Sequence, residues 1–197
     1  MNIESITALL SFALVSSITP GPNNIMLMSS GTNFGFKRSL PHMLGINLGF
    51  TFMLILIGIG LSQIFNLYPV IQTILKFVGV AYLIYLSYKI ARSSSVQVKG
   101  DNQARPLTFF QAALFQWVNP KAWTMATAAV TLYAPTSSYR NVAIVAISFS
   151  AMNFPAICTW TLLGKQIRKK LDNPRFLLIF NYIMALLLLS SLYFIAV

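Results

Sequence analysis

Residues 3–30 read IESITALLSFALVSSITPGPNNIMLMSS, an apolar run interrupted by Thr19-Pro20-Gly21-Pro22-Asn23-Asn24. About 20 apolar residues cross a bilayer as a helix, so this run is a membrane span with a break inside it. Proline has no N–H and clashes with the preceding turn, which frees carbonyls at membrane depth. Unpaired backbone groups facing lipid are costly, so the break must face protein or a wet cavity. Gly21 is expected to let the chain turn where another residue would be strained. Asn23 and Asn24 are expected to cap the half-helix that restarts after Pro22. Such a half-helix presents free N–H groups and a partial positive charge, which suit a carboxylate.

Working outward, five more apolar segments follow at about 40–65, 69–91, 109–133, 141–163 and 176–197. The expected fold class is therefore an all-α membrane protein of six transmembrane helices. Composition agrees: 56% of residues are hydrophobic and 9% charged, against roughly 25% charged in a soluble domain. The net charge of +11 would suggest nucleic acid in a soluble protein. Here the cations lie between apolar runs, and the topology rule explains them without a nucleic-acid partner. Lys37 and Arg38 fall in the first connection, Lys89, Arg92, Lys99 and Arg105 in the third, and Lys165, Arg168, Lys169, Lys170 and Arg175 in the fifth. Basic loops stay in the cytoplasm, so both termini are expected outside a bacterial cytoplasmic (inner) membrane. Tyr68, Tyr133 and Tyr139 fall at the predicted outer helix ends, where aromatic rings favour the interface. Residues 1–8 hold Glu4 and no Lys or Arg, unlike a signal peptide, so the first segment is kept as a membrane helix.

The longest polar stretch, 92–105, divides one transmembrane domain, 1–197, into two three-helix halves: repeat one over about 1–91, a cytoplasmic loop over about 92–107, and repeat two over about 108–197. An odd helix number makes a second copy enter the membrane inverted, as in many secondary transporters. Each half opens with a proline-broken helix, and Pro20 and Pro120 lie one hundred positions apart. The second break carries Asn119-Pro120-Lys121.

Lys121 lies well inside a predicted span, where a charge is costly and should face protein or water; a substrate carboxylate and the carbonyls released by Pro120 are both candidate partners. Asn119 could bond substrate or broken backbone, and Gln116, one turn earlier, leans towards the site. Tyr82 offers a ring and a hydroxyl, for packing or for substrate. His42, near Arg38, is the proton-coupling candidate. Asn47, Asn153 and Asn181 are expected to bridge helices. Gly45 and Gly49 make a small-residue face for close packing within one subunit or in a homodimer. Lone Cys158 reads as a small buried apolar residue. Glu4, Asp101 and Asp172 all lie near ends or loops, so no carboxylate relay is visible. No metal or cofactor is expected.

These residues resemble the LysE/RhtB family of amino-acid exporters over nearly the whole chain. The family's Pro-Gly-Pro motif is present as Thr19-Pro20-Gly21-Pro22-Asn23-Asn24, and its second-helix pattern as Gly45-Ile46-Asn47-Leu48-Gly49. The third-helix pattern appears as Gly79-Val80-Ala81-Tyr82-Leu83, with Tyr85-Leu86, Lys89 and Arg92 following, and the fourth-helix motif as Asn119-Pro120-Lys121. The Pro-Gly-Pro-Asn-Asn run is similar to that of the branch with cysteine and O-acetylserine exporters. Many relatives carry an acid in the second helix where this chain has Phe50.

The resemblance implies a secondary transporter that exports small neutral amino acids or derivatives, such as cysteine, O-acetylserine, threonine or homoserine. Its site would draw on Thr19, Pro20, Gly21, Pro22, Asn23, Asn24, Gln116, Asn119, Pro120, Lys121 and Tyr82, with the amino acid and membrane lipid as partners. A membrane-embedded enzyme needs paired carboxylates, a metal cluster or a nucleophile with a base. One His, one Cys and no buried acid argue against it. A passive channel, which usually shows rings of charge or filter loops, is the other alternative.

Overall fold

The first apolar run folds as two helices, α1 (Ile3–Ile18) and α2 (Pro22–Phe34), bent by 57° at the Thr19–Gly21 break. Asn2 caps α1 by accepting from the Ser5 amide at 2.8 Å. Gly35 then turns the chain between α2 and α3 (Phe36–Leu56) at φ 78°, a left-handed angle that favours a residue without Cβ. A π-helical turn, Ile57–Leu61, prolongs α3. There follow α4 (Pro69–Ala91), α5 (Phe109–Phe115) with a 3-10 turn at Gln116–Val118, α6 (Pro120–Tyr133), α7 (Tyr139–Arg168) and α8 (Pro174–Ser190). Thr108 and Gln111 cap α5 reciprocally. This computed structural model describes residues 1–61, 67–92, 105–134, 138–168 and 174–192, and all regular structure among them is helical.

Three helical stretches are long and apolar enough to cross a membrane: Phe36–Leu61, Thr73–Ala91 and Tyr139–Arg168. The bent pair α1 and α2 makes a fourth if it counts as one span. The expected span at 109–133 is cut in two at Asn119, and α8 is a shorter apolar helix. Expected residues 193–197 of the last span, and Lys169-Lys170 of the fifth connection, lie outside the described residues, as do Lys99 and most of the central loop.

The bundle has apolar flanks, and its largely apolar interior also buries a set of polar side chains. Phe77, Val78 and Ile84 on α4, and Ile179, Ile183 and Leu186 on α8, are exposed. Asn24, Asn33, Asn47, Gln116, Asn119, Asn153 and Asn181 are buried. Lipid offers apolar side chains as good a surface as protein does, so interior polar bonds and close backbone packing hold such a bundle together. Asn47 donates to the Ser150 hydroxyl at 2.8 Å and accepts from Asn153 at 2.9 Å, tying α3 to α7 as the sequence suggested. Asn33 donates to Asn181 at 3.3 Å, tying α2 to α8.

The helices pair reciprocally: α2 and α1 pack on α7, α5 packs on α3, α3 on α7, and α4 on α8. Small residues make the crossings close. A Cβ on Gly31 would strike the Thr161 carbonyl, and one on Gly164 would strike the Met28 carbonyl. A Cβ on Gly45 would strike Phe109 and Ala112, and one on Gly49 would strike Ala113. The Gly45–Gly49 face is thus taken up by α5 of the same chain.

Candidate functional site

An α-helix that ends inside a membrane leaves its last carbonyls without intrahelical partners. At the end of α1 each of these has a donor. The Val15 carbonyl accepts from the Thr19 amide at 3.1 Å, and that of Ser16 from the Thr19 hydroxyl at 2.8 Å. Asn24 Nδ2 donates to the Ser17 and Thr19 carbonyls, both at 2.8 Å. Trp160 Nε1, from α7, donates to the Ile18 carbonyl at 3.0 Å. Lys121 Nζ donates to the Thr19 carbonyl at 2.6 Å, the Thr19 hydroxyl at 3.1 Å and the Pro20 carbonyl at 3.4 Å. The ammonium therefore sits at the negative end of the α1 dipole, where a cation is favoured.

Lys121 leaves the second residue of α6, immediately past the other break. There Asn119 is the N-cap, its side chain accepting from the Lys121 amide at 3.2 Å. Gln116 and Asn23 hold each other by two bonds, Asn23 Nδ2 to Gln116 Oε1 at 2.8 Å and Gln116 Nε2 to Asn23 Oδ1 at 3.2 Å. The two breaks are thus joined twice, by Lys121 and by the amide pair. Between them lies a cavity of about 30 Å³, where Ser17, Asn23, Asn24, Asn119, Lys121 and Asn153 meet an apolar wall of Ile46, Phe50 and Met125. That space takes a water or two. An amino acid fits only if the breaks part.

The structure gathers Thr19, Pro20, Gly21, Asn23, Asn24, Gln116, Asn119 and Lys121 at this junction, with Pro22 and Pro120 as the first residues of α2 and α6. Three expectations are corrected. Asn23 and Asn24 do not cap α2: Gly21 is its N-cap, with no side-chain bond. Asn24 turns back to the α1 carbonyls because the bend sets its amide beside them. Gly21 is in ordinary extended backbone, φ −172°, so no left-handed turn demands glycine. What demands it is Lys121: a Cβ on Gly21 would lie 2.6 Å from Lys121 Cδ. Finally, Lys121 pairs with carbonyls of the first break, not with those released by Pro120.

Tyr82 lies apart, packed on Phe115 and Tyr85 with ring centroids at 5.6 and 6.1 Å. His42 lines a separate, larger cavity of about 440 Å³ between α2, α3, α4 and the start of α5, at the end of the bundle that carries Lys89, Arg92 and Arg105. Among the described residues the two cavities share no lining residue. Sequence reasoning missed Trp160 and Ser17. The only sequence signal for Trp160 was an indole N–H inside an apolar run, which needs an acceptor somewhere.

Known proteins match the amino-acid sequence over most of its length. The chain is 32% identical over 174 residues to the cysteine/O-acetylserine efflux protein of Escherichia coli strain K12, covering 86% of this chain and 87% of that one. The protein of the same name from Shigella flexneri is 32% identical, over 83% of this chain and 84% of its own. That of Escherichia coli O1:K1 is 31% identical, over 86% and 87%. No solved structure matches. The profile of the LysE type translocators covers residues 14–195, most of the chain with both breaks inside it, and the chain belongs to the LysE family.

Proposed function

We propose that this chain exports small neutral amino acids or their derivatives, cysteine and O-acetylserine first among them, across the bacterial cytoplasmic membrane as a secondary transporter. Its family and the names of its relatives support export and the substrate class. One observation carries the mechanism: Lys121 Nζ, from the second break, occupies the Thr19 and Pro20 carbonyls of the first. An ammonium already sits where a substrate ammonium would be welcome. A substrate carboxylate would draw Lys121 off those carbonyls, helped by the free amides and positive dipole ends of α2 and α6. The vacated carbonyls would take the substrate ammonium. This exchange of partners unlatches the breaks and lets the two halves rock around the site, the alternating access of inverted-repeat carriers.

In this reading α1 with α2, and α5 with α6, are each one broken span, and α3, α4, α7 and α8 complete six. The basic end faces the cytoplasm and both termini face outward. Two measurements test this. Everted membrane vesicles should take up labelled cysteine and O-acetylserine saturably and show counterflow; linear, non-saturable flux would mean a channel. An alkaline phosphatase fusion at Val197 should be active and one near Lys99 inactive; the reverse result would overturn the orientation.

A further inference from the structure

We infer that the 440 Å³ cavity at the basic end is a second amino-acid site, where cytoplasmic substrate is held before it reaches the breaks, and that His42 contacts the substrate ammonium there. The inference rests on the export reading and adds a site to it.

Among the described residues only the Ser17 hydroxyl, at the small cavity between the breaks, and the two ring nitrogens of His42 are buried without a partner. His42 is 2% exposed, and among the described residues neither Nδ1 nor Nε2 has a hydrogen-bond partner. Its polar neighbours have theirs: Ser30 and Ser39 bond each other at 2.7 Å, and Asn33 donates to the Ser29 carbonyl at 2.9 Å. A neutral imidazole carries one donor and one acceptor, and leaving both unmade in the interior costs free energy. A group left unpaired in this way calls for water, a ligand or a functional reason.

The cavity beside it supplies the reason. At about 440 Å³ it is within the size of small-ligand sites, roughly 300–1,000 Å³. Lys89, Arg92 and Arg105 line it, and among the described residues no acidic side chain does. Such a rim raises the local concentration of carboxylates. The same rim repels an ammonium and turns that end of a zwitterion inward. The inner wall holds Met26 and Leu86, with space for a short neutral side chain, and His42, whose buried, unpartnered nitrogen would accept from the ammonium once substrate is seated. Amino acids bearing a carboxylate, an ammonium and a small uncharged side chain fit this division of charge; a second carboxylate or a long cationic side chain would meet apolar wall.

Everted vesicles carrying the full chain expose this cavity to the medium. The experiment measures initial rates of labelled O-acetylserine uptake, normalised to the amount of folded carrier. His42→Leu should raise KM about tenfold, the worth of one hydrogen bond to a charged group, with the maximal rate within about twofold. His42→Gln keeps a donor and an acceptor and should stay within about threefold of wild type. His42→Leu should also keep or gain thermal stability, because it removes an unpaired buried polar group. An unchanged KM in His42→Leu overturns the inference, as does equal loss in the Leu and Gln variants. A fall in maximal rate at constant KM overturns it too, since that assigns His42 to a later step. If wild-type vesicles show no saturable uptake, the export reading itself fails, an outcome distinct from all of these.

Discussion

At the Thr19–Gly21 break Thr19 takes the Val15 and Ser16 carbonyls, while those of Ser17, Ile18 and Thr19 go to side chains beyond the break: Asn24 across the bend, Trp160 from α7, and Lys121 from α6. The break at Asn119 is closed by its neighbours. Asn119 N–H donates to the Gln116 carbonyl at 3.3 Å, Trp123 Nε1 to the Trp117 carbonyl at 2.7 Å, and the Asn119 side chain caps α6. The same proline interruption, one hundred residues apart, therefore yields two different parts. The second break is a self-contained platform that holds Lys121 out. The first is completed by what reaches it from α2, α6 and α7, so it can be unmade by a competitor for those partners. In a carrier, that makes the first break the moving contact and the second the support.

The harshest way to break the comparison is to erase the first interruption. Replacing Pro20, Gly21 and Pro22 together with Ala favours a continuous helix, since Ala suits a helix interior by about 1 kcal/mol over Gly and about 3 over Pro. Export should fall to background while the protein still inserts, as read by vesicle uptake and by quantified membrane protein. Pro120→Ala should do far less. Its missing N–H is at the first position of α6, where no intrahelical bond is lost, and Asn119 still caps. Equal collapse in both variants would show that the two breaks are not different parts.

Removing the link comes next. Lys121→Met keeps chain length and loses the ammonium. Asn24 still bonds the Thr19 carbonyl, so folding should survive. Losing a charge partner from a partly buried site should weaken substrate handling about tenfold or more in KM. Lys121→Arg should also fail, because a planar fork does not replace a compact ammonium. A carboxyl-esterified substrate should compete poorly in wild type and show little further change in Lys121→Met. Gly21→Ala should give a milder version of the same defect, because its Cβ must push Lys121 aside. Normal transport by Lys121→Met would leave the lysine a structural prop and move the carboxylate contact to the N-terminus of α2.

These differences mark what the sequence could say. Both breaks were legible because a proline's lost N–H acts where the proline stands. Lys121 was legible as a costly charge that needs a partner, but which carbonyls it meets depends on how α6 packs beside α1. Asn24 read as a cap because it follows a helix start; only the 57° bend brings its amide to the α1 carbonyls instead. Gly45 and Gly49 announced a close crossing at four-residue spacing on one helix. Gly31 and Gly164 did not, because each meets the other helix's backbone singly, from positions far apart in the chain. His42 was visible as a lone titratable group, whereas its want of a partner among the described residues is a property of the packed bundle.

The finest distinction concerns the second link between the breaks, the Asn23–Gln116 pair. If both halves of the junction must part together, these amides contribute to the closed state as a unit, and a double-mutant cycle with Asn23→Ala and Gln116→Ala should show it. Gln116→Ala should be the worse single change, because Gln116 Nε2 also donates to the Ala112 carbonyl at 2.8 Å and removing it orphans a buried group. Asn23→Ala leaves Gln116 with that bond and loses less. The pair makes two reciprocal bonds, so the coupling energy in thermal stability should be on the order of 1 kcal/mol, with the double variant less damaged than the sum of the singles. The transport rate should move the other way from stability, because a weaker latch opens more readily: each single variant should raise the rate of counterflow or leave it unchanged, unlike any change at Lys121. Additivity within about 0.3 kcal/mol would mean that the amides touch without holding, leaving Lys121 as the sole tie between the two breaks. A fall in counterflow equal to that of Lys121→Met would instead place Asn23 and Gln116 on the substrate, and the first break would then be a binding wall as much as a latch.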